Sequence, residues 1–166
     1  MPASTTADVS DRTTARAVEH LPAHERADQQ VGDEIELSFH DRHRRRLRLV
    51  SSGGRDLLLD LDRVVAMRDG DLLRLDDGSW LRVVAAAEEL VEVSAADEGS
   101  LLRLAWHVGN RHVPAQLDGQ RFFIGRDHVI EGMLEGLGAT LRVCRRPFDA
   151  ETGAYHSHAG EGSHDH

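Results

Sequence analysis

The chain has 166 residues, room for one ordinary domain or two small ones. Its 20 basic residues are all arginines, and 29 acidic residues leave a net charge of −9, which argues against nucleic acid or an anionic membrane as the main partner. Hydrophobic residues make up 40% but aromatics only 4%, so any core rests on Leu, Val, Ile and Ala, and no run approaches the ~18 apolar residues of a membrane span.

Residues 1–30 are rich in Ala, Thr, Asp, Glu and Arg and contain no apolar signal-peptide core. They read as a poorly ordered arm, with Arg16 to Leu21 as a short edge strand. From Asp33 the pattern acquires period two. Ile35, Leu37 and Phe39 alternate with polar residues, and Leu47 and Leu49 resume after a basic stretch. Ser51-Ser52-Gly53-Gly54 is a turn signal, followed by Leu57, Leu59 and Leu61 on one strand face. Asp69-Gly70-Asp71 and Asp77-Gly78 mark two more turns around Leu72 to Leu75 and Trp80 to Val84. This spacing predicts a small all-β module over 31–90. The run Arg42-His43-Arg44-Arg45-Arg46-Arg48 reads equally as a polar recognition surface or as a charged strand edge that deters aggregation.

The rhythm then changes. Glu89 to Val93 alternates as a strand, and Asp97 or Ser100 is positioned to cap a helix carrying Leu101, Leu104, Ala105 and Val108 at helical spacing. His112 to Leu117 and Arg121 to Ile124 form a hairpin pattern around Asp118-Gly119. Asp127 is an N-cap for a second helix with Ile130, Met133, Leu134 and Leu137 on one face and Gly138 as its stop. Thr140 to Val143 closes the series as a strand. The order β-α-β-β-α-β over 91–150 is the ferredoxin-like pattern. The fold class expected is therefore α+β, a β-rich first domain, a ferredoxin-like second domain and, over 151–166, a flexible His-rich tail. Cys144 is the only cysteine, so no internal disulfide forms; its apolar surroundings suggest a buried thiol and a reducing, cytoplasmic compartment.

Chemistry is concentrated in histidine. Trp106-His107-Val108-Gly109-Asn110-Arg111-His112 puts two imidazoles around a helix end, and His156, His158, His164 and His166 close the chain. Imidazole suits Ni(II), Zn(II) and Cu(II), so these features together suggest metal handling. His107 and His128 fall on the polar faces of their helices, where a solvated surface histidine is the plainer reading. His112 is different, because it follows the helix end and opens the next strand. One imidazole does not hold a transition metal tightly, but a twofold dimer supplies a second from the partner chain. In the tail, the two His-x-His pairs place imidazoles on one side of an extended chain, so each pair can chelate an ion. Ligation requires neutral imidazole, so affinity should fall as pH drops through about 6.5. No His-Glu-x-x-His, Cys-x-x-Cys, Gly-x-Ser-x-Gly or phosphate-binding loop is present, which argues against a hydrolase. A carrier or a general store of divalent metal remains.

The chain resembles the urease accessory protein UreE family, nickel metallochaperones of urease maturation. The resemblance rests on Ala105 to His112, Pro114, Gln116, Arg126-Asp127-His128-Val129-Ile130, Met133-Leu134, Gly136-Leu137-Gly138-Ala139, Pro147-Phe148 and Gly153-Ala154-Tyr155. The arginine strand, Asp69-Gly70-Asp71 and Glu88 add to it. It implies a homodimer in which His112 of each chain binds Ni(II) as cargo, with Zn(II) or Cu(II) as substitutes in vitro. It implies that the tail histidines complete or feed this site, and that the first domain is similar to a chaperone peptide-binding domain. The implied partners are the urease GTPase UreG and the urease apoprotein–accessory protein complex. Some members carry a histidine where Arg126 stands here, so the auxiliary site at His128 lacks a ligand.

Overall fold

A computed structural model describes residues 14–25 and 29–151. The chain divides into two compact units, between Val84 and Ala85. The boundary therefore falls a few residues before the expected position near 90, because the strand Ala87–Ser94 belongs wholly to the second unit.

The first unit is a six-stranded sheet made of β1 (Ala15–Leu21), β2 (Val31–Leu37), β3 (Arg46–Val50), β4 (Asp56–Asp60), β5 (Leu72–Leu75) and β6 (Trp80–Ala85), in the order β2-β6-β5-β1-β4-β3. Period-two alternation builds it: Ile35 and Leu37, Leu57 and Leu59, Leu73 and Leu75, and Leu81 and Val83 all turn into one core. The arm predicted over residues 1–30 needs correction here. Ala15–Leu21 is no edge strand, since it pairs with β4 in parallel and with β5 in antiparallel fashion, and it sits inside the sheet. Its small buried residues, Ala15 and Ala17, explain why composition hid it. Residues 1–13 lie outside the described residues.

The basic run is also not one surface. Arg42 is 1% exposed and donates from Nη1 to the Met67 carbonyl at 3.0 Å, so it is a structural tie inside the unit. Arg44 and Arg45 are exposed just before β3, and Arg46 and Arg48 are exposed along it, at an edge of the sheet.

The second unit contains β7 (Ala87–Ser94), α1 (Glu98–Gly109), β8 (Ala115–Asp118), β9 (Arg121–Gly125), α2 (His128–Gly136) and β10 (Thr140–Pro147). Its sheet order, β10-β7-β9-β8 and antiparallel throughout, is the ferredoxin-like arrangement expected from the element order. Val91, Val93, Phe122 and Ile124 face the helices and pack with Leu104, Val108, Ile130 and Leu134. Both helices start where the sequence suggests. Asp97 accepts from the Ser100 amide at 2.9 Å, and Asp127 accepts from the amides of Val129 and Ile130 at 2.9 and 3.2 Å.

Strand β10 extends four residues beyond the predicted Thr140 to Val143, because Cys144 to Pro147 continue the ladder with Leu90 to Ala87, and its arginines find partners across the sheet. Arg142 pairs with Glu92 at 2.7 Å, and Arg146 lies over the Phe123 ring at 4.1 Å. Cys144 pairs in register with Leu90 but is only half-buried, so the fully buried thiol expected from its surroundings is not observed.

Candidate metal centre

The geometry of His112 follows from how α1 ends. The Val113 amide donates to the Val108 carbonyl at 3.3 Å, and the His112 amide donates to the Gly109 carbonyl at 3.0 Å. This pair of bonds, spanning five and three residues, is a Schellman motif. Val113 and Val108 both pack in the helix-side core, which supplies the apolar contact that usually accompanies the motif. The motif requires a left-handed residue at its penultimate position, and here that residue is His112, with φ 54. It is the only described non-glycine residue with positive φ.

Helix α2 ends the same way. The Ala139 amide donates to Leu134 at 2.9 Å and the Gly138 amide to Glu135 at 2.9 Å, with Gly138 at φ 88. In α2 the left-handed position holds glycine, which takes it without steric cost. In α1 it holds an imidazole. An L-residue there loses roughly 1–2 kcal/mol, and strain of this kind concentrates at functional positions. His112 therefore does not open the following strand, as the alternation suggested. It occupies the turn, and β8 begins three residues later at Ala115.

His112 is exposed, and no hydrogen bond or ion pair restrains its side chain among the described residues. Its neighbour Arg111 folds back, donating from Nη1 to the His107 carbonyl at 3.0 Å. His107 is half-buried with its ring edge-on to Trp106, centroids 5.0 Å apart. Leu102 and Trp106, one turn apart on α1, are 71% and 63% exposed. They form an apolar ridge on the helix that presents His112, and the heptad-like stripe of Leu101, Leu104 and Val108 gave no sign of it.

His128 is exposed in the first turn of α2. Arg126, two residues earlier, is held by Glu89 at 2.7 Å and Glu131 at 2.8 Å. The Arg126 guanidinium in turn holds the Glu131 carboxyl below its ordinary range. These carboxylates are committed to an ion-pair cluster beside His128. Among the described residues, no three His, Cys, Asp or Glu side chains converge as a metal-binding group. The tail histidines His156, His158, His164 and His166 lie outside the described residues.

Family models for the N-terminal and C-terminal domains of the UreE urease accessory protein match residues 14–86 and 88–166. The chain belongs to the UreE family. A UreE of Rhodopseudomonas palustris (strain BisB18) is 51% identical over 136 residues, covering 82% of this chain and 64% of the relative. A UreE of Bradyrhizobium sp. (strain ORS 278) is 50% identical over 82% of this chain and 63% of its own length. The chain thus spans just under two thirds of these two proteins. A UreE of Agrobacterium fabrum matches at 44% identity over 90% of this chain and 92% of its own length. The N-terminal family match begins at residue 14, just before β1, in accord with a sheet that includes Ala15–Leu21. No helix among the described residues is long and apolar enough to cross a membrane.

Proposed function

We propose that this UreE is a non-enzymatic nickel carrier of urease maturation, in which His112 is half of a Ni(II) site completed by His112 of a second copy. The observation that carries this reading is the left-handed, exposed His112 at the end of α1, with no second and third ligand gathered around it. A protein that retains a strained imidazole where its other helix uses glycine, and leaves that ring free, presents it to something outside the subunit. The exposed Leu102 and Trp106 on the same helix suit burial against a partner copy across a twofold axis.

Two imidazoles on an axis bind Ni(II) without enclosing it. The tail histidines His156, His158, His164 and His166 then close the coordination and withdraw when an acceptor docks. Release therefore needs no unfolding. Because copper binds such ligands more tightly than nickel, selectivity comes from metal supply and from the docked partner. The acceptor in this reading is the GTPase UreG, acting in the cytoplasm with the urease apoprotein complex.

Calorimetric titration of Ni(II) into the full chain, into His112→Ala and into a chain ending at Glu151 tests the proposal. The carrier reading expects one tight ion per dimer, lost in His112→Ala, with the truncation reducing capacity and weakening that ion. Tight binding that survives His112→Ala would instead make this a storage protein that uses its tail. For the delivery step, UreG should co-purify with the full chain when Ni(II) is present; failure with and without Ni(II) would remove UreG as acceptor.

A further inference from the structure

After β10 the chain does not simply leave the sheet. It crosses it. Pro147 is in register with Ala87 at one edge, on β10, and the opposite edge is β8. Three strand spacings separate them, about 14 Å. Yet the Glu151 amide donates to the Ala115 carbonyl of β8 at 2.8 Å. The four residues from Pro147 to Glu151 therefore carry the chain from β10 to β8 as a short strap.

The strap lies on the face away from the helices. Ala115 and Ile124 pair and both face the helix-side core, so Gln116 and its register partner Phe123 point to the opposite face. There the Asp149 amide donates to Gln116 Oε1 at 3.1 Å. Phe148 and Ala150, in the strap itself, are 4% and 5% exposed. The strap is thus fixed by one side-chain acceptor, one free-edge carbonyl and two buried side chains.

We infer that Gln116 and the Pro147–Glu151 strap are a positioning device that roots the histidine tail beside His112. The inference rests on the reading that tail imidazoles reach a metal held at His112. His112 lies three residues before Ala115, at most about 11 Å away, and the hydrogen-bonded Glu151 adds about 5 Å. The roughly five residues from Glu151 to His156 reach about 17 Å when extended, so even the first tail histidine spans the gap. Without the strap the root would be the end of β10, at the far edge, and the free segment to His156 would be about nine residues. Effective concentration falls roughly as the −3/2 power of length, which gives a loss of about two- to threefold from length alone, before the greater distance is counted. Gln116 touches no metal in this scheme; it acts through the strap.

The test is a cycle of four proteins: the full chain, Gln116→Ala, the chain ending at Glu151, and that truncation carrying Gln116→Ala. Ni(II) affinity and release rate are read by competition with a chromophoric chelator. Gln116→Ala should weaken Ni(II) and speed its release in the full chain, towards the two- to threefold that loss of the whole strap gives from length alone, and change neither in the truncated chain. Gln116→Glu, which keeps an acceptor oxygen, should restore most of the full-chain value. A substitution effect of equal size in both backgrounds would overturn the inference, because a general structural role does not require the tail. So would the absence of any effect in the full chain when truncation itself weakens binding. If truncation leaves Ni(II) affinity unchanged, the underlying reading of the tail fails, and the positioning role fails with it.

Discussion

The comparison of the two helix ends supports a sharp prediction for His112→Gly. Removing a ligand usually leaves stability unchanged or lower. Here the Schellman motif at the end of α1 holds its left-handed residue at φ 54, whereas α2 fills the same position with Gly138 at φ 88. An L-residue in this region loses about 1–2 kcal/mol, while glycine loses about 0.5–1 kcal/mol through the greater freedom of its unfolded chain. The difference leaves glycine ahead by about 0.5–1 kcal/mol. For a unit of this size that corresponds to a rise in Tm of about 2–8 °C. His112→Ala is the control, since it deletes the imidazole and keeps the backbone penalty.

Urea unfolding of the metal-free protein, with a chelator present, compares the two variants. His112→Gly should be more stable than His112→Ala by about 0.5–1 kcal/mol, with the m-value unchanged. Both should lose tight Ni(II) binding equally. Equal stability of the two variants would show that the turn is not strained at position 112, and the case for a functional imidazole at a glycine position would lose its physical basis. A stabilising substitution that abolishes binding is what a position optimised for function at the expense of stability should give.

Other consequences are open to measurement. The buried Asp71 accepts from His20 Nε2 at 2.7 Å and from the amides of Ala23 and Arg68, both at 2.8 Å. Asparagine presents an acceptor to only one side of that group, so Asp71→Asn should lose about 2–4 kcal/mol in urea unfolding at neutral pH. Burial pushes the Asp71 carboxyl up, but its hydrogen bonds from His20, Arg68 and Ala23 outweigh this and hold it below the ordinary value. The carboxylate's contribution is then complete above about pH 4 and is lost as pH falls further, so the gap between the two proteins should narrow in acid. A chain beginning at Ala23 lacks β1 and should give no cooperative unfolding of the first unit by circular dichroism, whereas one beginning at Thr14 should retain it. Arg126→His gives up exposed, solvent-screened ion pairs to Glu89 and Glu131, so urea unfolding should change little. It also places a second imidazole two residues before His128, and calorimetry should detect an additional, weaker Ni(II) ion; unchanged stoichiometry would rule out His128 as a ligand.

What the sequence makes legible follows from which forces leave a periodic trace. Leu104 and Val108, or Ile130 and Leu134, announce their helices because burial recurs at helical spacing, and Asp97 and Asp127 mark helix starts because a cap needs a short acceptor side chain. β1 is hidden for the opposite reason. A central strand can be built around alanines when its neighbours supply the leucines, and Ala15 and Ala17 sit between Leu57, Leu59 and Leu75. Arg42 is misread because a guanidinium buried on a backbone carbonyl has the same letter as one in solvent.

The candidate metal centre is partly legible in the same sense. Composition identifies the imidazoles, but their arrangement depends on hydrogen bonds between residues far apart in sequence or on backbone torsion. The left-handed turn at His112 is set by the Val108 and Gly109 carbonyls, and it falls just past the Gly109-Asn110 pair at which the helix ends. The strap is set by Gln116 meeting Asp149 across 33 positions, a contact with no periodicity to reveal it. In the proposed reading, these non-periodic features make the exposed His112 and the tail histidines parts of a single site. On that reading, a ligand held at a strained turn and a tail rooted beside it would let metal be held by few bonds at a time, which is the physical requirement for passing it on.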